Sequence, residues 1–141
     1  MMIEAKLKWT EGMQFVARAE DRPAIVIDNK EEGSGPGPMQ LVLIGVAGCT
    51  AMDVIHIMRK KRANVSDFEV NIRGERAENH PRRFVKIQIE YVLYGTGIKR
   101  TDVEQAISLS ENKYCSAIAS LNAEFDHSYR IVEARADTQE A

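Results

Sequence analysis

Pro36-Gly37-Pro38-Met39-Gln40-Leu41-Val42-Leu43-Ile44-Gly45-Val46-Ala47-Gly48-Cys49-Thr50-Ala51-Met52-Asp53-Val54-Ile55 is the stretch on which the fold of this chain turns. A Pro/Gly-rich loop runs into a long and almost wholly apolar segment that carries one cysteine. Pro38 suits the first position of a helix, where a missing N–H costs nothing. The pattern predicts a helix continuing through His56, Ile57 and Met58 into Arg59-Lys60-Lys61-Arg62, with Asn64 as its stop. Apolar residues on nearly every side predict burial all round, as at the centre of a larger core. Glycines and Asp53 break the run and strands flank it, which favours a core helix over a membrane span.

Outward from that helix the signals alternate at a period of two. Residues 3–9, 13–19 and 24–28 read as three short strands joined by turns at Gly12 and Pro23, an antiparallel meander. Residues 29–37 are too rich in Gly, Pro and charge for an element, so a flexible loop is expected there. Residues 65–75 and 84–94 alternate again around a turn at His80-Pro81, a long hairpin. Thr101-Asp102-Val103-Glu104 has the form of a capping box opening a second helix, with Val103, Ala106 and Ile107 on one face. A shorter helical piece over 114–121 carries the second cysteine. Phe125, His127, Tyr129 and Ile131 alternate in a last strand, and the tail from Ala136 is expected to fray. The order βββ–α–ββ–α–α–β argues an α+β fold of antiparallel sheets around a long buried central helix, with the 141 residues forming one domain.

Composition narrows the function classes. Apolar residues make up 44% and charged residues 28%, and the formal net charge of -2 gives no basic field for nucleic acid. The basic run at Arg59–Arg62 complements the negative end of the helix dipole. No charged segment followed by an apolar run opens the chain, so a cytoplasmic protein is expected. Arg73, Arg76, Arg82 and Arg83 cluster at the hairpin turn and are expected to be solvated. His127, between two aromatic residues, is expected to be structural. No close His/Cys/Asp spacing matches a zinc site, and Gly33-Ser34-Gly35-Pro36-Gly37 lacks the Lys and Ser/Thr of a phosphate loop.

Two cysteines in a reducing compartment are either small core hydrophobes or a redox pair. Cys49 lies deep inside its helix, far from the dipole, and Asp53 is its i+4 neighbour. Anything that makes Cys49 reactive must come from outside its own helix. Cys115 falls in the first turn of a short helix if Asn112 caps it, which makes Cys115 the more acidic thiol on local grounds.

The segments Gly35-Pro36-Gly37-Pro38-Met39-Gln40-Leu41 and Gly48-Cys49-Thr50-Ala51-Met52-Asp53-Val54, with Lys113-Tyr114-Cys115-Ser116 followed by Leu121, resemble the OsmC/Ohr family of thiol-dependent hydroperoxide reductases. The resemblance runs over essentially the whole chain, and the Gly48-Cys49-Thr50 form is similar to an OsmC-like subgroup. It implies an intertwined α+β homodimer with sites at the subunit interface. It implies also that Cys49 attacks the peroxide and Cys115 resolves the product into an intramolecular disulfide, regenerated by an external dithiol reductant. No bound cofactor or metal is expected. The well-characterised peroxidases of that family carry glutamate at the position of Met39 and arginine at that of Thr10. Gln40, Arg18 and Arg22 are the candidates left to support the thiolate. Two functions follow: reduction of organic hydroperoxides, or a non-catalytic dimer that binds an apolar ligand or partner beside Cys49. Neither nucleic acid nor membrane is an expected partner.

Overall fold

A computed structural model describes residues 1–134, and the tail from Ala136 lies outside the described residues. The chain has two compact units, residues 1–42 and 43–141, with the long helix beginning in the first and running through the second.

In the first unit, β1 (Ala5–Glu11), β2 (Gln14–Ala19) and β3 (Ile25–Ile27) form an antiparallel sheet in that order. The register sets Leu7 opposite Ala17 and Trp9 opposite Phe15, and then Phe15 opposite Ile27. Strict alternation therefore gathers one apolar face, as expected. Its β1 part is not half-buried, however: Ala17 of β2 is buried, but Leu7 and Trp9 are more than half exposed in the single chain.

The loop after β3 is ordered by Asp28 rather than flexible. Its carboxylate accepts from the Lys30 N–H (3.0 Å), the Ser34 N–H (3.2 Å) and the Ser34 hydroxyl (3.2 Å). The Asp28 N–H in turn donates to the Pro36 carbonyl. This is the Asx-type bonding that lets a short acidic side chain fold its own backbone.

The helix α1 (Pro38–Lys60) starts where Pro38 predicts. Its start is closed by Gln40, whose Oε1 accepts from the Gly37 N–H at 2.8 Å. A glutamine three residues into a helix that reaches back in this way is half of a capping box. The other end differs from expectation. Arg62, not Asn64, stops the helix by adopting a left-handed φ of 57°. The Ala63 N–H then reaches the Met58 carbonyl and the Arg62 N–H the Arg59 carbonyl. That is a Schellman closure, built on an arginine where glycine is usual. Asn64 instead opens the next strand.

In the second unit, β4 (Asn64–Arg76) and β5 (Phe84–Thr96) form the expected hairpin. After β5 come α2 (Arg100–Leu109), a π-helical turn at Ser110–Tyr114, the four-residue helix α3 (Ser116–Ala119) and β6 (Glu124–Glu133). Strand β6 pairs with β5 in parallel, an exception to the antiparallel expectation. The helices between the two strands return the chain to the end where β5 began, and such a crossover makes a parallel pair. The capping box at Thr101 does not form, because α2 starts one residue earlier with Lys99 as its cap and no side-chain bond. Asp102 faces the Lys61 ammonium at 3.7 Å instead.

The core of this unit is the inner face of β5 (Ile87, Ile89, Tyr91, Leu93), the expected α2 face (Val103, Ala106, Ile107) and one stripe of α1. That stripe is Val46, Thr50, Val54 and Met58, one residue per helical turn, all 1% exposed or less. Its three apolar members each contribute about 1.5–3 kcal/mol by leaving water. The rest of α1 is not buried all round: Ile44 and Met52 are exposed. At Gly45 and Gly48 an added methyl would meet nothing within 4 Å. Among the described residues, this side of the helix has no cover from the second unit. With a mean hydropathy of 2.0 over its most apolar window, α1 is also long and apolar enough to cross a membrane. Thr50 and Asp53 are nevertheless bonded to side chains of the second unit, as in the core helix of a globular domain.

Candidate active site

Cys49 and Asp53 lie one turn apart on α1 and so share a face. The π-helical turn after α2 widens the chain so that Ser110 points at Asp53 and Cys115 comes to the same place. Local widening of this kind recurs at functional sites. The two sulfurs and a carboxylate oxygen of Asp53 all lie within 4.8 Å of one another. Cys49 is half-buried and Cys115 is buried.

Cys115 is itself the N-cap of α3, its sulfur accepting from the Ile118 N–H at 3.5 Å. Asn112, the expected cap, bonds Ser108 instead. The expectation that Cys115 is the more acidic thiol is overturned. Burial pushes its pKa up to about 11, against the opposing pull of the Ile118 N–H. The neighbouring Cys49 thiol raises it further, so Cys115 keeps its proton. A four-residue helix offers too little dipole to outweigh desolvation.

Beneath the thiols runs a buried polar chain. The Ser110 hydroxyl donates to Asp53 Oδ2 (3.0 Å) and pairs with Thr50 Oγ1 (2.7 Å). Thr50 pairs with the Tyr91 hydroxyl (2.8 Å), which donates to Glu111 Oε2 (2.7 Å). The other oxygen of Glu111 meets His127 Nδ1 at 3.0 Å, which fits the structural part expected of His127. Thr50, Ser110 and Tyr91 are fully buried, and among the described residues no buried side-chain polar atom lacks a partner. Each of these hydroxyls left unpaired would cost about 1–3 kcal/mol, so the chain pins Asp53 firmly.

The supporting candidates fare differently. Gln40 is engaged in closing the start of α1. Arg18 donates to the Arg22 carbonyl at 3.3 Å within the first unit. Of the hairpin arginines, Arg76 and Arg83 bind backbone carbonyls and Arg73 bonds Gln88. A hollow of about 460 Å³ over the second sheet is lined by Asn71, Arg73, Gln88 and Asp126 among others, and by neither cysteine. Sequence spacing missed the Cys49–Asp53–Cys115 grouping, since only the Asp53 i+4 relation was visible along the chain.

A long helix bearing one thiol, set on a sheet with a second thiol on the crossover, is the arrangement of OsmC-like proteins. The chain belongs to that family: residues 31–130 match the OsmC-like protein family. It is 36% identical over 134 residues to Protein YhfA of Escherichia coli K12, covering 94% of this chain and 100% of that one. A hypothetical protein from Aquifex aeolicus VF5 superposes with a TM-score of 0.87 at 28% identity, over 96% of this chain and 99% of the other. The organic hydroperoxide resistance protein OhrB of Bacillus subtilis shares the fold, with a TM-score of 0.63 at 14% identity over 92% and 98% of the two chains.

Proposed function

We propose that this OsmC-like protein reduces organic hydroperoxides with Cys49 as the attacking thiolate and Cys115 as the resolving thiol. The observation that carries this is the approach of the two sulfurs to within 4.8 Å, from which a disulfide at about 2.0 Å would form. The family and the printed role of OhrB support the substrate class.

In the first step the Cys49 sulfur attacks the terminal peroxide oxygen. The O–O bond breaks, the alkoxide takes a proton and leaves as alcohol, and Cys49 becomes a sulfenic acid. Cys115 then attacks that sulfur, and its thiol proton leaves with the hydroxyl as water. An external dithiol reductant restores both thiols by exchange and is itself oxidised to a disulfide. The high Cys115 pKa suits a thiol that waits while Cys49 reacts. No bound cofactor enters these steps.

The protein would act in the cytoplasm as a homodimer. Exposed Ile44 and Met52, with open space beside Gly45 and Gly48, support a second copy laid along α1. Neither a membrane nor nucleic acid is part of this proposal.

The test is intact mass after reduced protein meets one equivalent of an alkyl hydroperoxide. Loss of two hydrogens with peroxide consumed is expected. Cys115→Ser should gain one oxygen instead, and Cys49→Ser should do neither. An unchanged wild-type mass, with all peroxide remaining, would leave the non-catalytic dimer as the better account.

A further inference from the structure

Cys49, Asp53 and Cys115 present two sulfurs and an oxygen within 4.8 Å of one another. We propose that in the reduced state these three residues bind a thiophilic divalent cation of the zinc class, leaving a fourth position open.

The donor set fits that chemistry. Zinc takes Cys sulfur at about 2.3 Å and carboxylate oxygen at about 2.0–2.2 Å in a tetrahedron. Ligand atoms so held stand about 3.5–3.8 Å apart, so side chains whose donors lie within 4.8 Å draw in by at most about 1 Å. Two sulfurs with one carboxylate select zinc or cadmium over magnesium and calcium, which want oxygen alone.

The donors are also held in place, which distinguishes this group from a chance meeting. Cys115 is fixed as the N-cap of α3. Cys49 and Asp53 ride one turn apart on the longest helix. The Asp53 carboxylate is oriented by Ser110 Oγ at 3.0 Å, and Ser110 by Thr50 at 2.7 Å. A ligating carboxylate tied by a buried hydroxyl is the outer-shell arrangement that metal sites use. The fourth position falls to water or a small thiol.

Binding releases the two thiol protons to solvent: M2+ and two thiols give a metal dithiolate and two protons. No electrons move. The same sulfurs cannot be metal-bound and joined in a disulfide, so the cation would shield the pair from oxidation. The site rests on the geometry alone and stands whether or not Cys49 reduces peroxides.

The experiment titrates Co(II), as a coloured surrogate for zinc, into reduced, metal-free full-length protein under argon. One equivalent per chain should produce a thiolate-to-cobalt charge-transfer band with strong tetrahedral d–d bands, and zinc should displace both. Cys49→Ser should abolish the charge-transfer band or reduce it by half. Ser110→Ala, which leaves all three ligands in place, should weaken binding about tenfold or more, with the Ser110→Thr variant restoring it. Unchanged far-ultraviolet circular dichroism checks that each variant folds. No charge-transfer band at millimolar Co(II), or a band that persists at full strength in Cys49→Ser, would overturn the site. Peroxide consumption measured separately in excess chelator reports on the reductase proposal, so either can fail alone.

Discussion

Two effects act on the Cys115 thiol in opposite directions, and their sizes decide its chemistry. Backbone N–H groups of α3 favour the thiolate, while burial favours the neutral thiol, and burial wins. At Asp28 the balance falls the other way. Backbone N–H groups of Lys30 and then Ser34 hold its carboxyl below the ordinary 3.8, with burial opposing. A carboxyl whose folded pKa is depressed adds stability above its unfolded pKa and loses it as pH falls through the folded value. Asp28→Asn should therefore be less stable than wild type at neutral pH, and the gap should close below about pH 4. Thermal unfolding between pH 2 and pH 7 measures this. A gap that stays constant down to pH 2 would mean that the Asp28 charge does nothing for the loop.

Element ends show where local chemistry was decisive and where it was not. Pro38 marked the start of α1 in advance, whereas the Gln40 bond that closes it was not foreseen. The far end was not marked, because an arginine in the left-handed region carries no local signature. Arg62 at φ 57° takes on a cost of about 1–2 kcal/mol that glycine would avoid. Arg62→Gly should stabilise by about 0.5–1 kcal/mol after the loss of glycine's greater unfolded freedom. For a chain of this size that is a rise of about 1–4 °C in Tm, read by calorimetry. An unchanged or lower Tm would show that the Arg62 side chain contributes something that its backbone strain conceals. Gly95, in contrast, is required: a methyl there would run into the Asn64 carbonyl across the strand bulge.

For the whole molecule, the conspicuous feature is apolar surface without a cover. Leu7 and Trp9 in the first unit and Ile44 and Met52 on α1 are all more than half exposed. Scattered apolar residues on a surface need no explanation, whereas a helix this apolar with its glycine-bearing side open does. Met52→Glu places a charge in the middle of that side. Wild-type protein should sediment at twice the chain mass, and the variant should shift toward the chain mass at micromolar concentration. A wild type that sediments as a single chain, or a variant that stays fully dimeric, would remove α1 from the interface.

Periodicity and composition along the chain were enough for the α+β class, the long helix and the hairpin, because each of these rests on contacts within a few residues. The exposed side of α1 was illegible, since apolarity records that a face is covered but not by what. The parallel docking of β6 depends on where a crossover returns, which no local pattern encodes. The approach of Cys49, Asp53 and Cys115, and the burial that reverses the acidity expected of Cys115, belong to the tertiary structure alone. Both need distant segments to be packed together, and desolvation is a property of that packing rather than of any residue's neighbours in sequence.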